Sequence, residues 1–380
     1  PELDYDARFA AALHKYPVVL GYYFNSERTA SAVGTLPRPV VRAESLKGHR
    51  IDRPARTGYG SNIAMLANAA PIAGHFNPIS DSDGVVRSLP LLELYQGAYY
   101  ESLALAMFRA LLGSPDLVPV FSEEKWLSRS LQGLDHIALK SNQGVIRLPV
   151  DRRAAALVPY RGIGGPEGGS FQYVSAADLL AGRITAQTLK DKIVLVGTTA
   201  PGLLDLRVTP VGEVYPGVEA HANLLAAWLE GKSLFMPDYA MGFDVTVLSI
   251  AGIALALSLP MLTAFRAVLL SLGVLFLVAG LNSWLFFAHG LVMPLGAALV
   301  MILTAFALNM SYGYFVESRS KRELANLFGT YVPPELVDEM VKDPDSYTMK
   351  ATNRELTVMF CDMRGFTKMS EHMEPTQLQA

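Results

Sequence analysis

The chain has 380 residues, of which 51% are apolar and only 18% charged, with a mean hydropathy of +0.26; soluble domains run nearer a quarter charged. The deficit is local. From Val245 to Val316, 72 residues carry a single formal charge, Arg266, which excludes a wholly water-soluble protein. Residues 317–380 hold eight basic and eleven acidic residues, and 1–243 hold 23 of each. That neutral segment has no basic tract, so nucleic acid is excluded as its partner.

In chain order, Val18–Phe24 is a continuous apolar run rich in β-formers and predicts a buried strand. Asp81-Ser82-Asp83-Gly84 resembles the opening of a calcium loop but lacks the distal Glu, and reads as a turn before strands at Val85–Arg87 and Leu89–Tyr95. Tyr100–Leu112 has helical spacing and stops at Gly113. Ile137–Leu139 and Val145–Leu148 flank Asn142-Gln143-Gly144 and predict a hairpin. The glycines at 162, 164, 165, 168 and 169 are interrupted by Pro166 with no helix following at once, and read as a flexible surface loop, not a phosphate cradle. Ser175-Ala176-Ala177-Asp178 opens a short helix ending at Gly182. Lys192–Gly197 predicts another buried strand, and Gly217–Glu230 a helix closed by Gly231, with His221 on its apolar face as a core histidine. No Ser/His/Asp set or metal-ligand cluster stands out. Residues 1–238 thus form a mixed α/β binding or structural module.

Two passages in this segment carry a resemblance. One runs from Gly74-His75-Phe76-Asn77 through Asp83-Gly84-Val85-Val86-Arg87-Ser88-Leu89-Pro90 to Ser102-Leu103-Ala104-Leu105. The other runs from Lys192 to Arg207, then Thr209-Pro210-Val211-Gly212, Tyr215-Pro216-Gly217-Val218-Glu219 and His221-Ala222-Asn223. Together they resemble the extracytoplasmic CHASE sensor domain of the second type, found before three membrane helices in bacterial signalling proteins. The resemblance implies a sensor of an unspecified external stimulus whose N-terminal part is incomplete here.

The charge-poor region, 239–316, fits three transmembrane helices, near 241–259, 266–287 and 292–315, with turns at Pro260–Arg266 and His289-Gly290. Lys and Arg set the orientation. Arg266 lies in the first turn and Arg319, Lys321 and Arg322 follow the third span, whereas the second turn has neither residue type. This predicts a multi-pass protein of the inner (plasma) membrane, with 1–238 outside, periplasmic or extracellular, and the C-terminal segment cytoplasmic. The opening Pro1-Glu2-Leu3-Asp4 has no export signal, so a signal or membrane helix is expected upstream.

Residues 317–354 read as a helical connector. Leu324, Leu327, Phe328 and Tyr331 share one helix face, Pro333-Pro334 breaks the helix, and Glu335–Lys342 forms a shorter one. Packing against the next domain and a paired helix that lets a homodimer pass a shift inward both fit that stripe. From 355 to 380, Leu356–Cys361 predicts a buried strand ending at Asp362, and Met363–Thr367 a sharp turn into a helix. A carboxylate there can hold a divalent ion, and free amides at the helix start can face phosphates.

Phe360-Cys361-Asp362-Met363-Arg364-Gly365-Phe366-Thr367, followed by Ser370-Glu371, resembles the opening of a class III nucleotidyl cyclase, an α+β ferredoxin-like domain. Leu327–Val337 is similar to the leader such cyclases carry. By that resemblance Asp362 and the Met363 backbone carbonyl bind metal, Gly365, Phe366 and Thr367 offer amides to the triphosphate, and two divalent ions (Mg²⁺ or Mn²⁺) serve the reaction. The second aspartate and the remaining catalytic residues are expected beyond Ala380, which would leave this stretch inactive alone. The expectation is a membrane-bound sensor cyclase, a homodimer converting ATP to cyclic AMP and pyrophosphate. The alternatives are a guanylate cyclase using GTP, or a non-catalytic receptor with a degenerate cyclase domain. A sensor histidine kinase would need a phospho-acceptor His after the third span, and none lies between Glu317 and Asp362.

Overall fold

The computed structural model describes residues 4–26, 31–122, 133–141, 144–198, 205–328, 355, 357–371 and 373, with 316–328 described as backbone only. It divides into two compact units, Pro1–Asn309 and Met310–Ala380. Nine helices are used as landmarks: α1 (Tyr5–Leu13), α2 (Ala64–Ala69), α3 (Leu103–Leu111), α4 (Ala176–Leu180), α5 (Ala186–Leu189), α6 (Gly217–Leu229), α7 (Ala240–Ser258), α8 (Ala264–His289) and α9 (Gly296–Phe328).

The part before α7 is mixed α/β, as the residue pattern predicts. Leu20–Asn25 is central to a four-stranded sheet, pairing parallel with Ala73–His75 and antiparallel with Gly58–Gly60. A second four-stranded sheet runs in the order Val41–Arg42, Ala98–Glu101, Leu92–Tyr95, Ala55–Arg56. The predicted hairpin forms as Leu134–Ser141 against Gly144–Pro149, with Asp116–Phe121 added on its other edge. Tyr100 and Glu101 belong to a strand instead of the predicted Tyr100–Leu112 helix. Ser102 separates the two elements, because its hydroxyl accepts the Leu105 amide at 3.4 Å and caps α3.

The core gathers around α3 and α6. Leu105 and Phe108 of α3 and Leu224, Leu225 and Trp228 of α6 join Leu92, Ile137 and Leu148 from the sheets in one buried cluster. Phe108 and Trp228 meet with ring centroids 5.4 Å apart. Tyr22, Phe24, Ala73, Tyr95 and Tyr100 form a second, largely aromatic cluster.

Two expectations are corrected here. Lys192–Gly197 forms no strand: residues 192–198 are coil, and Val194 and Val196 are 53% and 92% exposed. β-propensity describes how a residue fits a sheet, and no neighbouring strand among the described residues takes up this backbone. The glycine-rich stretch is also no free surface loop. The Gly165 amide donates to the Glu219 carboxylate at 2.7 Å, and a Cβ on Gly164 would lie 2.6 Å from the Tyr215 ring. These glycines allow the loop to lie directly on α6.

Three helices are long and apolar enough to cross a membrane: Ala240–Met261, Ala264–His289 and Gly296–Phe315. Small side chains, Ala251, Ala267, Ser271 and Ala298, are buried among them together with Leu255 and Ile302, while Phe276, Phe287 and Val300 are exposed. The Asn282 amide caps the second turn by donating to the Met293 carbonyl at 3.1 Å, and Asn309 donates to the Leu259 carbonyl at 3.4 Å. The second turn also bonds to the segment that precedes α7. Phe235 donates to the Gly290 carbonyl at 3.0 Å and accepts from Val292 at 2.9 Å, a parallel bridge of Phe235 with Leu291. Gly290 adopts φ +66°, and an added Cβ would approach the Ser233 carbonyl oxygen to 2.3 Å. The α8–α9 turn therefore lies on the same side of the three helices as the α/β domain.

In the second unit α9 runs on to Phe328, as the connector reading expects. Tyr331 and the expected helix Glu335–Lys342 lie outside the described residues. Residues 357–361 form no strand, contrary to expectation, and Val358, Met359 and Phe360 are largely exposed. A strand needs a partner for its backbone groups, and the described residues of this unit supply none.

Two glycines differ in the space around them. A Cβ on Gly168 would sit 1.7 Å from the Ile163 carbonyl oxygen, whereas one on Gly212 would meet nothing within 4 Å. Gly168→Ala is expected to cost about 1–3 kcal/mol and lower the thermal unfolding midpoint by several degrees, with Gly212→Ala within about 0.5 kcal/mol of the parent. Equal midpoints for the two variants would contradict the close approach of Gly168 to the Ile163 backbone within this loop.

Candidate functional site

Three polar places in the molecule can carry chemistry. The first lies inside the α/β domain. Glu93, fully buried on Leu92–Tyr95, receives Arg56 from the adjacent strand through Nε at 2.9 Å and Nη2 at 2.7 Å. Arg53 adds Nε at 3.1 Å and a second, close contact through Nη2. Burial alone would raise the Glu93 carboxyl, but the hydrogen bonds from Arg56 and Arg53 outweigh it and hold the group at about 2. His75 is also fully buried, and neither ring nitrogen has a partner. Burial drives it down to about 3 against the raising effect of the Glu93 carboxylate, with His221 and the two arginines acting in the same sense as burial. His221, the expected core histidine, is 3% exposed, hydrogen-bonds to the backbone of Phe76, and leaves Nδ1 without a partner.

The second place explains the longer sensor-like passage. Tyr215, Glu219 and Asn223 converge beneath the glycine-rich loop. The Glu219 carboxylate accepts from Gly165 and from the Tyr173 hydroxyl at 2.7 Å, while the Asn223 amide donates to the Tyr215 hydroxyl at 2.6 Å and the Glu219 carbonyl at 2.8 Å. Asn223 also accepts the Arg161 amide at 3.1 Å. Asp205, from the same passage, accepts from the backbone of Val218 and so caps α6 from outside the helix. These side chains hold a loop and a helix start in place; none is left presenting a reactive group to solvent.

The third place is a half-open cleft of about 690 Å³ in the α/β domain. Leu36, Pro37, Pro39 and Ile72 give it an apolar wall; Arg38, Glu101 and Arg109 give it charge. Glu101 is 8% exposed and pairs with Arg109 at 2.6 Å. Its other carboxylate oxygen is buried without a partner. Burial raises this carboxyl against the lowering effect of Arg109. None of these three residues stands out in the amino-acid sequence. The only signal available was the concentration of charge on strand and helix ends flanking Ser102, which is not specific.

The C-terminal residues expected to bind metal and triphosphate lie in one short stretch. Asp362 and Met363 are exposed, and one Asp362 oxygen accepts the Met363 amide at 2.9 Å. Gly365 has φ +91° and ψ 12°, the geometry at the third position of a type II turn, and precedes the helix Phe366–Ser370. The Phe366 amide donates to the Met363 carbonyl at 3.3 Å. Two of the expected roles thus meet in one internal bond, and the Gly365 and Thr367 amides remain without an acceptor among the described residues. Asp362 fits a hard cation as one oxygen ligand. No group of three or more His, Cys, Asp or Glu that could hold a metal ion occurs among the described residues, so a complete ion site is not assembled.

The family model of the CHASE2 domain matches residues 1–257. The chain belongs to the CHASE2 domain family. The match continues well into α7, so the first apolar helix is part of what the family model describes. No curated protein and no solved structure matches the chain significantly. CHASE2 domains are extracellular sensor domains, and here one is followed by three helices able to span a membrane. That combination is the layout of a membrane signalling receptor.

The buried histidines make the CHASE2 domain acid-sensitive. The folded domain keeps both rings neutral, whereas the unfolded chain protonates them below about 6.5. Stability is therefore complete above that pH and falls as pH drops toward 4, by roughly 1.4 kcal/mol per pH unit for each ring. Glu93, held at about 2, stays ionised in the folded domain and adds to the loss as pH approaches 4, whereas Glu101, being raised, acts in the opposite sense and offsets part of it. The unfolding midpoint is expected to be lower at pH 5.0 than at pH 7.5, and His75→Gln to shrink that difference; a pH-independent midpoint would refute the neutral-ring assignment.

Proposed function

We propose that the chain is the sensing and membrane part of a receptor whose C-terminal segment opens a class III nucleotide cyclase domain, converting ATP to cyclic AMP and pyrophosphate. The observation that carries the output half is the run Phe360–Thr367. Its likeness to a cyclase opening is accompanied by a left-handed Gly365 at the start of a helix, with Asp362 immediately before the turn. In this reading Asp362 supplies one oxygen ligand to a divalent ion, and the Gly365 and Thr367 amides face the triphosphate. GTP in place of ATP is the close alternative.

The receptor is a homodimer in the inner (plasma) membrane, with the CHASE2 domain outside and the C-terminal segment in the cytoplasm. Support for the orientation comes from two directions. Lys and Arg collect at Arg266 and at Arg319–Arg322, and are missing from the second turn. The second turn is the one hydrogen-bonded to Phe235, beside the CHASE2 domain. A signal received outside then has a continuous covalent route inward through α9, which extends from Gly296 to Phe328.

Asp362 is the residue to test. In the protein expressed from its complete gene, Asp362→Ala is expected to reduce Mn²⁺- or Mg²⁺-dependent cyclic nucleotide formation by at least a hundredfold without changing its membrane insertion. Unchanged activity would remove Asp362 from metal binding. Absence of any cyclase activity in the parent protein would instead favour a receptor that signals without catalysis.

A further inference from the structure

The cleft beside α3 combines features that a packed structural crevice does not need. Arg38 is exposed at its edge and has no ion-pair partner among the described residues. Glu101 lines it while 8% exposed, and one of its oxygens lacks any hydrogen bond. A buried carboxylate oxygen left unsatisfied costs free energy, and a ligand N–H or O–H would remove that cost. The Tyr22 hydroxyl, likewise buried without a partner, lies within electrostatic reach of Glu101. The remaining lining is mixed: Leu36, Pro37, Pro39 and Ile72 form an apolar wall, and Thr35, Asn62, Asn68 and Ser114 add polar side chains.

Charge decides the class of ligand. Arg38 and Arg109 against Glu101 leave one net positive charge among these lining groups, which calls for an anion. Arg38 is the guanidinium free to take a carboxylate, since Arg109 is committed to Glu101 at 2.6 Å and to the Pro115 carbonyl at 2.9 and 3.0 Å. The volume, about 690 Å³, lies within the range of small-molecule pockets, roughly 300–1,000 Å³. We propose that this cleft of the CHASE2 domain binds a small amino or hydroxy carboxylic acid. Its carboxylate would meet Arg38, its N–H or O–H donor would meet Glu101, and its apolar body would pack on the Leu36–Pro39 wall.

The proposal rests on the sensor reading of the α/β domain and is independent of the cyclase reading. The test therefore uses binding and no enzymatic output. The purified chain in detergent micelles is screened at pH 7.5 by thermal unfolding with each of the twenty protein L-amino acids and with lactate and malate. At least one acid is expected to raise the midpoint by several degrees in a saturable way. The corresponding amine without the carboxylate should give no shift. Arg38→Ala, at an exposed position that leaves the fold intact, should weaken binding at least tenfold, and Glu101→Gln should weaken it while Arg38 is present. Absence of any saturable shift across the panel overturns the proposal, as does an acid that binds the parent and Arg38→Ala with equal affinity. Should Glu101→Gln fail to fold, the Arg38→Ala comparison decides alone.

Discussion

The rest of the molecule is arranged around one constraint: 72 consecutive residues with a single charge cannot remain in water. Three helices resolve it because a helix satisfies its own backbone groups, which nothing in a hydrocarbon layer could do for it. α8, with 26 residues, is about 39 Å long at 1.5 Å per residue, enough to cross with some tilt. Two polar side chains within this block hold its turns. Asn282 and Asn309 tie helix ends and turns, and Trp284 stands against His289 with ring centroids 4.9 Å apart at the second turn. The block then fixes what lies on either side, since its second turn hydrogen-bonds to Phe235.

Inside the CHASE2 domain a different problem is solved. Glu93 with Arg53 and Arg56, and His75 beside them in electrostatic terms, place charge where water is absent. A buried ion group of this kind adds little net stability, because desolvation offsets the attraction, yet removing one member leaves an uncompensated charge at a cost of about 3–5 kcal/mol. The cluster therefore specifies how the strand bearing Arg56 meets the one bearing Glu93 more than it strengthens their contact. Glu101, by contrast, is only half satisfied, and it lines an open cleft. The difference between the two carboxylates separates interior architecture from a surface that can take a ligand.

Much of this was legible in the residues. The uncharged window located the three helices to within a few residues, and the hairpin and α6 followed from turn signals and a closing Gly231 at φ +68°. Tyr215, Glu219 and Asn223 drew attention as a family-like passage, but sequence alone did not reveal that they are internal hydrogen-bonding partners. Lys192–Gly197 misled because its β-forming residues state a preference that only a neighbouring strand can fulfil. Glu101 was hidden inside an apolar helix-like run, since the periodicity of Tyr100–Leu112 passed smoothly over the strand end and the Ser102 cap. The cleft was invisible because its walls come from residues far apart in the chain, Leu36 and Arg109 among them.

The central claim is that a CHASE2 sensor and the second membrane turn share one side of the bilayer while the first turn faces the other. Site-directed labelling tests it most directly. In a Cys361→Ser background, Thr263→Cys and His289→Cys, both at exposed positions, are compared in intact cells expressing the complete gene, using a membrane-impermeant maleimide. Labelling at 289 and protection at 263 until the cells are permeabilised is the predicted result; labelling at 263 with protection at 289 would contradict the account.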